Sequence, residues 1–472
     1  MKITSLLVLS IFTSSLCSAQ QIDFTLANPQ PDLIEVYGGS FASGDIDGDG
    51  DQDLLMAGQD PGRKTALYFN DGNGVFTEVP VIPFPRASSS VTILEDLDDD
   101  GDLDLFFSGN GFGIGEFAHI YLNDGLGEFT QLANPSLPEF LGSGAAIEDV
   151  DNDGDLDIMI SALDGNDDFI ANVYLNDGNA NFTVSGNTNF TPVKFASIAF
   201  IDVENDGDAD IIISGIKEND AASTMLYLND GLGNYSLDTN SVFEQLNADD
   251  IDVADTDNDG DLDILMSGTT DAFDVRTILY INGGDGEFTE LTTAGLQQTF
   301  AGTNAIADLD NDGDQDIVII GSQEGGLPNI FNIVYENLGN NEFEAVDTIG
   351  GEYIAACVVD DFNGDGLLDI IIQGFVDRTN VYWNNTPVLG SKDEQTEVQL
   401  TMYPNPANNT LQINTSEAIQ SVTLFNVQGQ KLFSRQETSN NIELDISQLQ
   451  SGNYFVQVQS QGNIETRKLI KM

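Results

Sequence analysis

Two cysteines, one histidine and one tryptophan are all that these 472 residues hold of those types, and 14 basic residues stand against 79 acidic ones. Each shortage excludes something. Cys17 falls in an N-terminal leader, so Cys357, in the apolar run Ala355-Ala356-Cys357-Val358-Val359, is the only thiol left and no intramolecular disulfide can form. His119 sits in Ala118-His119-Ile120-Tyr121 with no Ser or Cys motif around it. One imidazole without cysteine clusters makes no zinc ligand set and gives no sign of a nucleophilic triad. No apolar run beyond the leader approaches the roughly 20 residues of a membrane span. The scarcity of bases excludes a nucleic-acid backbone as the main partner.

Residues 1–19 read as a secretory signal: Lys2 supplies the charge, Leu6 to Phe12 the apolar core, and Cys17-Ser18-Ala19 a small-residue cleavage site. The mature protein is then extracytoplasmic. The acids that remain are unevenly placed, with a net charge of −63 over the first 385 residues and −2 over the rest. This marks two domains, the first of which repels itself strongly unless cations are bound.

Within the first domain the acids form a pattern. Asp255-Thr256-Asp257-Asn258-Asp259-Gly260-Asp261-Leu262-Asp263, followed by Ile264-Leu265-Met266, is one of seven copies, whose first carboxylates are Asp45, Asp96, Asp149, Asp202, Asp255, Asp308 and Asp361. The spacing is 51 residues once and 53 five times, which means an array of one supersecondary unit. Position 3 of each copy is Asp47, Asp98, Asp151, Glu204, Asp257, Asp310 or Asn363; position 5 is Asp49, Asp100, Asp153, Asp206, Asp259, Asp312 or Asp365. A glycine follows at position 6. Position 9 is Asp53, Asp104, Asp157, Asp210, Asp263, Asp316 or Asp369. Hard oxygen donors wrapped around a sharp turn suit calcium, so up to seven calcium ions are expected. Position 7 (Asp51, Asp102, Asp155, Asp208, Asp261, Asp314, Leu367) would offer its backbone carbonyl, leaving the side chain free to vary, as Leu367 does. Seven Asp-rich turns without metal are the alternative, but turn chemistry alone does not require acids at 1, 3, 5 and 9 together.

No helical periodicity flanks these loops. Each repeat offers four strand candidates, in the fourth Ala196 to Val203, Ala209 to Ser214, Met225 to Leu228 and Asn234 to Leu237, the last two joined by a Tyr-x-Asn-Asp-Gly hairpin signal. Seven such units predict an all-β fold, a seven-bladed β-propeller of four-stranded blades. The seventh repeat lacks its fourth strand, while Phe24-Thr25-Leu26-Ala27-Asn28-Pro29 copies the strand of the second repeat at Phe129-Thr130-Gln131-Leu132-Ala133-Asn134-Pro135. The N-terminal strand is therefore expected to complete the last blade and close the ring. The predicted domains are a signal peptide at 1–19, the propeller at 20–385, a polar linker at 386–397, and at 398–472 short alternating strands that suit a small Ig-like β-sandwich.

These loops resemble the FG-GAP/VCBS repeat family, the propeller type also found in integrin α-chains. The resemblance covers about residues 22–385 and implies calcium held between blade strands. The C-terminal segment, with Tyr403-Pro404-Asn405-Pro406, Phe425-Asn426-Val427-Gln428-Gly429-Gln430, Leu449-x-Ser451-Gly452-Asn453-Tyr454 and the basic end Arg467-Lys468-Leu469-Ile470-Lys471, resembles the type A C-terminal sorting domain of the type IX secretion system. That implies engagement of the type IX machinery, export across an outer membrane, and either release or surface attachment.

The residues favour a secreted, calcium-stabilised surface binding or adhesion protein with a glycan or protein ligand. A polysaccharide lyase or carboxylate-based glycosidase is the alternative, since nothing among the acids marks two as special, and a structural spacer is the third reading. In a four-stranded antiparallel blade the calcium loop and the Asn-Asp-Gly turn share one face. The propeller's bases, Arg63, Lys64, Arg86, Lys194, Lys217, Arg276 and Arg378, all fall in connections on the other face, which predicts an anionic ligand there.

Overall fold

A computed structural model describes residues 22–387 and 401–471, apart from 134, 142–143, 187–188, 285, 324–329, 340, 377–378, 404–406, 415–418, 427–430, 437–438, 450–451 and 461–462. The signal-peptide reading, most of the predicted linker and Arg378 lie outside the described residues. The chain divides into two compact units between residues 388 and 389.

In the first unit every repeat forms a four-stranded antiparallel set. In the fourth repeat Val193–Ile201, Asp210–Lys217, Ala222–Asn229 and Tyr235–Leu237 pair in that order, with Ile198 opposite Ile213, Ile211 opposite Tyr227 and Tyr227 opposite Leu237. The second strand reads as a continuous apolar run because both its faces are covered. Ile211 and Ile213 pack with Met159 and Val173 of the preceding repeat, while Ile212 packs with Ile264 and Met266 of the following one. Sheets stacked face to face in this way give a β-propeller. The first two repeats share one eight-stranded sheet through a single pair, Lys64 opposite Ala87, and the third adds the short strand Phe140–Leu141 beside its second.

The closure expected from the sequence is present. Phe24–Leu26 pairs with Thr379–Asn384, placing Phe24 opposite Asn384 and Leu26 opposite Tyr382. Tyr235 and Leu237 take the same register against Asn229 and Tyr227. The first strands of the seven repeats touch in cyclic order, and Ala356–Asp360 of the last touches Phe41–Gly44 of the first.

The second unit has two sheets. Thr401–Tyr403, Thr410–Asn414 and Asn441–Asp445 form one; Lys431–Gln436, Ile419–Asn426, Gly452–Ser460 and Asn463–Lys471 form the other. Leu411, Ile413 and Leu444 from the first share a core with Val422, Val456 and Leu469 from the second, so the alternation seen in the sequence is that of two sheets packed face to face.

Candidate metal centres and the opposite face

Each acidic loop occupies the same eight residues between first and second strands, 45–52 in the first repeat and 361–368 in the last. The fold of the loop follows from its spacing. The carboxylate at position 1 accepts the N–H of the position-6 glycine, as Asp255 does from Gly260 at 3.0 Å. The carboxylate at position 5 accepts the N–H of position 7, as Asp259 does from Asp261 and Asp365 from Leu367. The position-7 side chain is therefore not needed by the loop, which explains Leu367. Position 6 sits at φ near +98° in Gly260, where only glycine is comfortable. Position 4 is also left-handed, at φ of 54–60° in Asn205 and Asn258, a constraint the sequence reading passed over although only Gly, Asn and Asp occur there.

Three acids converge in five of the loops: Asp45, Asp47 and Asp53; Asp96, Asp98 and Asp104; Asp149, Asp151 and Asp157; Asp255, Asp257 and Asp259; Asp308, Asp310 and Asp316, each set with ligand oxygens within 4.8 Å of one another. Position 3 points an oxygen inward with no partner: Oδ1 of Asp47, Asp98, Asp151 and Asp257 is buried and accepts no hydrogen bond, as is Oδ1 of Asp45. Buried carboxylate oxygens without donors are costly unless a cation meets them. Hard oxygens at this density fit calcium. The residues at positions 1, 3, 5 and 9 would hold the ion; its charge would neutralise the loop. Substituting Asp257 by Ala is expected to lower the number of calcium ions bound by one, as read by calorimetric titration.

Position 9 has a second task. In every repeat this aspartate opens the second strand and spends both oxygens on backbone N–H groups, one from position 2 of its own loop and one from the Asn of the Tyr-x-Asn motif. Asp53 accepts from Ile46 and Asn70 at 2.9 Å, and Asp369 from Phe362 at 3.2 Å and Asn384 at 2.8 Å. Burial pushes these carboxyls up, to about 6 in Asp53, Asp210 and Asp263, about 7 in Asp104, Asp157 and Asp369, and about 8 in Asp316, against the lowering effect of the N–H donors. A folded value raised above the unfolded one stabilises fully below the unfolded pKa, near 4, and loses that stabilisation as pH rises through the folded value. Metal-free protein is therefore expected to melt at a higher temperature at pH 5 than at pH 8, with calcium closing the gap; a melt independent of pH in chelator would contradict this.

The motif Asn does more than make a hairpin. Its side-chain Nδ2 donates to the position-2 carbonyl of the preceding repeat: Asn123 to Ile46, Asn176 to Leu97, Asn229 to Val150, Asn282 to Val203, Asn337 to Thr256 and Asn384 to Leu309, at 2.7–3.0 Å. Asn70 completes the cycle by donating to Phe362 of the last repeat at 2.8 Å. The signal was available in the sequence, because this Asn persists in the fifth, sixth and seventh repeats, where the Asp-Gly after it is lost. On the same face the turn glycine packs on the loop: a Cβ on Gly72 would lie 2.4 Å from Asp51 Oδ1. Position-4 amides add further ties, Asn152 to Asp208 at 2.9 Å, Asn258 to Asp314 at 2.5 Å, and Asn205 to Asp261.

The described bases occupy strand ends and connections away from the loops, and four of these six have partners nearby. Lys194 pairs with Asp220 at 3.1 Å and lies over the Phe169 ring. Arg63 donates to Ser88 Oγ and the Gly111 carbonyl, and Lys64 to the Glu35 carbonyl. Arg276 faces Glu244 at 4.0 Å. Arg86 and Lys217 flank the 4–1 and 2–3 connections. Two cavities open on this side. One of about 530 Å³ is lined by His119, Pro135 and Glu139, and one of about 690 Å³ by Glu244, Thr270, Asp274, Arg276, Gln298 and Gln323. His119 is half-buried, its Nδ1 3.1 Å from the Tyr121 hydroxyl, with burial lowering its pKa.

Residues 45–107, 96–160, 149–213 and 308–372 match the FG-GAP-like repeat, a repeat type that commonly binds calcium, and residues 401–472 match the secretion system C-terminal sorting domain. A tail of this kind sends a protein by type IX secretion to the cell surface or extracellular space. No curated protein matches the chain. Among solved structures it is similar to PorZ of Porphyromonas gingivalis, an essential bacterial surface component of the type-IX secretion system, at 13% identity and TM-score 0.45, over 94% of this chain and 60% of that one. The chain thus spans less than two thirds of PorZ. It is also similar to the Aleuria aurantia lectin (10%, TM-score 0.38, 67% of this chain and 97% of that one) and to the C-terminal domain of Pseudomonas aeruginosa PilY1 (11%, 0.33, 86% and 93%).

Proposed function

We propose that this chain, which carries FG-GAP-like repeats and ends in a type IX sorting domain, is a secreted seven-bladed propeller, held together by calcium, that binds a glycan or protein at a cell surface through the face opposite its metal loops. The observation that supports it is the contrast between the two faces. The metal-side loop is eight residues long in every repeat, whereas the 2–3 connections run from three residues in the first two repeats to seven in the sixth. One face is spent on a uniform ion-binding scaffold. The other varies from repeat to repeat, as binding loops on a rigid frame do. The cavities beside Arg276 and His119 open there.

The test is adherence of the purified secreted protein to intact cells and to immobilised polysaccharides, with and without chelator. Calcium-dependent retention without turnover supports the reading. Release of cleaved saccharide would favour the enzymatic alternative, and absence of any retention would leave only a spacer.

A further inference from the structure

The larger cavity has a chemistry of its own. It lies where the 2–3 connection of the fifth repeat meets the sixth, and its wall carries one guanidinium, Arg276, against two carboxylates, Glu244 and Asp274. Arg276 Nη2 and Glu244 Oε2 stand 4.0 Å apart, and both side chains are more than a third open to solvent. That separation is too long for a direct hydrogen bond and leaves a charged donor and a charged acceptor side by side. Adjacent hydroxyls on one ring are the complement of such a pair, one accepting from the guanidinium and the other donating to the carboxylate. The Gln298 amide, by contrast, is consumed by the backbone of Thr277 and Leu296 and serves as wall.

Phe273, the residue before Asp274 of the wall, is 81% exposed at φ +63°. The same turn holds Asp167 at φ +65° and Asp220 at φ +59° in the third and fourth repeats, where aspartate tolerates the left-handed region better than a bulky ring does. The turn that holds it is fixed by Phe273 N–H to Thr270 carbonyl at 2.8 Å and Asp274 N–H to Thr270 Oγ1 at 3.2 Å. An exposed ring offers its negative face to the weakly positive C–H side of a sugar.

We propose that this cavity is a subsite for a neutral sugar ring, with Arg276 and Glu244 gripping a vicinal diol and Phe273 stacking beside it. The inference rests on the binding role proposed above and replaces the anionic ligand expected from the bases alone. A carboxylate or sulfate entering here meets two fixed negative charges for one positive, inside a domain already rich in acid, and is repelled.

An array of neutral, uronic-acid-bearing and sulfated oligosaccharides, probed with the calcium-loaded secreted protein, tests it. Retention on neutral members is expected, reduced by about tenfold or more in Arg276→Ala and in Glu244→Gln, the loss of one charge-assisted hydrogen bond, and reduced in Phe273→Ala. Lys217→Ala, on the same face but outside the cavity, is expected to bind normally, and all four variants to keep the wild-type melt. Preference for charged members, or neutral binding indifferent to Arg276, Glu244 and Phe273, would overturn the subsite while leaving the binding face in place. Adherence to cells without any array binding would overturn the sugar and keep the binding role; loss of both would remove the two readings together.

Discussion

Chelating calcium from the mature protein at neutral pH and low salt is expected to lower its melting temperature steeply, with re-addition of calcium, but not of magnesium, restoring it. At a site affinity of about 0.1 mM, within the range of extracellular modules, about 1 mM calcium stabilises each site by roughly 1.4 kcal/mol. Up to seven sites then contribute on the order of 10 kcal/mol, comparable with the whole stability of an ordinary domain. The structural reason is local as well as global. Without the ion, the buried Oδ1 atoms of Asp45, Asp47, Asp98, Asp151 and Asp257 have no partner, and neighbouring carboxylates in each loop repel one another. Because position 2 of every loop is also the acceptor for the next repeat's Asn, a loop that loosens also loosens the joint beside it. Magnesium is smaller and more reluctant to shed water, and it suits this flexible oxygen set less well. Coincident melts with and without EDTA would remove the metal assignment altogether.

Much of this architecture was legible because the chain repeats itself. A single Asp-rich loop could be a turn; seven at nearly constant spacing fix the unit, and the four strand candidates of the fourth repeat lie within a few residues of their observed ends. The missing fourth strand of the last repeat and its copy at Phe24 were readable for the same reason. What escaped was contact between repeats. Asn70 and its six counterparts look like hairpin residues locally, and only the neighbouring sheet supplies the carbonyl that makes them joints. The bases show the same limit. Topology placed them on one face, but whether Lys194 or Arg276 is free depends on Asp220 and Glu244, which come from other connections and carry no sequence signal. Their proximity is what separates the neutral-sugar proposal from the anionic ligand expected from the bases alone.

The seam between the last and first repeats should be the weakest point of the ring, and cutting it the most damaging single change after loss of the metal. Deleting residues 20–30 removes the strand Phe24–Leu26 and leaves Thr379–Asn384 with an unpaired edge. Ile22, Phe24 and Ala27 are buried, the first two in a core with Ile370, Ile372 and Tyr382, the third with Val36 and Val381. Emptying each larger position costs roughly 2–5 kcal/mol. Gln30 goes too, whose side chain bonds the Val381 backbone from both its amide nitrogen and oxygen. What remains across the seam is the Asn70 bond to the Phe362 carbonyl, Ser43 Oγ to Asp360 at 3.1 Å, Thr379 Oγ1 to the Ile34 carbonyl at 2.7 Å, Gly38 N–H to the Ile354 carbonyl at 3.3 Å, and the packing of Leu54 and Met56 with Phe362 and Ile371. The deletion variant is expected to aggregate or to melt broadly, because an open edge strand recruits other chains. Asn70→Ala alone is expected to cost about 1–3 kcal/mol, the penalty for a buried carbonyl left without its donor, and to lower the melting point with calcium present. Asn176→Ala removes the same kind of bond within the ring rather than at its closure, so the two substitutions should cost similar amounts in the intact chain. Combined with the deletion they should diverge, Asn70→Ala costing more than it does alone, because it weakens the seam the deletion has already opened, and Asn176→Ala adding only its own increment. A deleted protein that melts as sharply and as high as the full chain would mean that the N-terminal strand does not hold the ring shut.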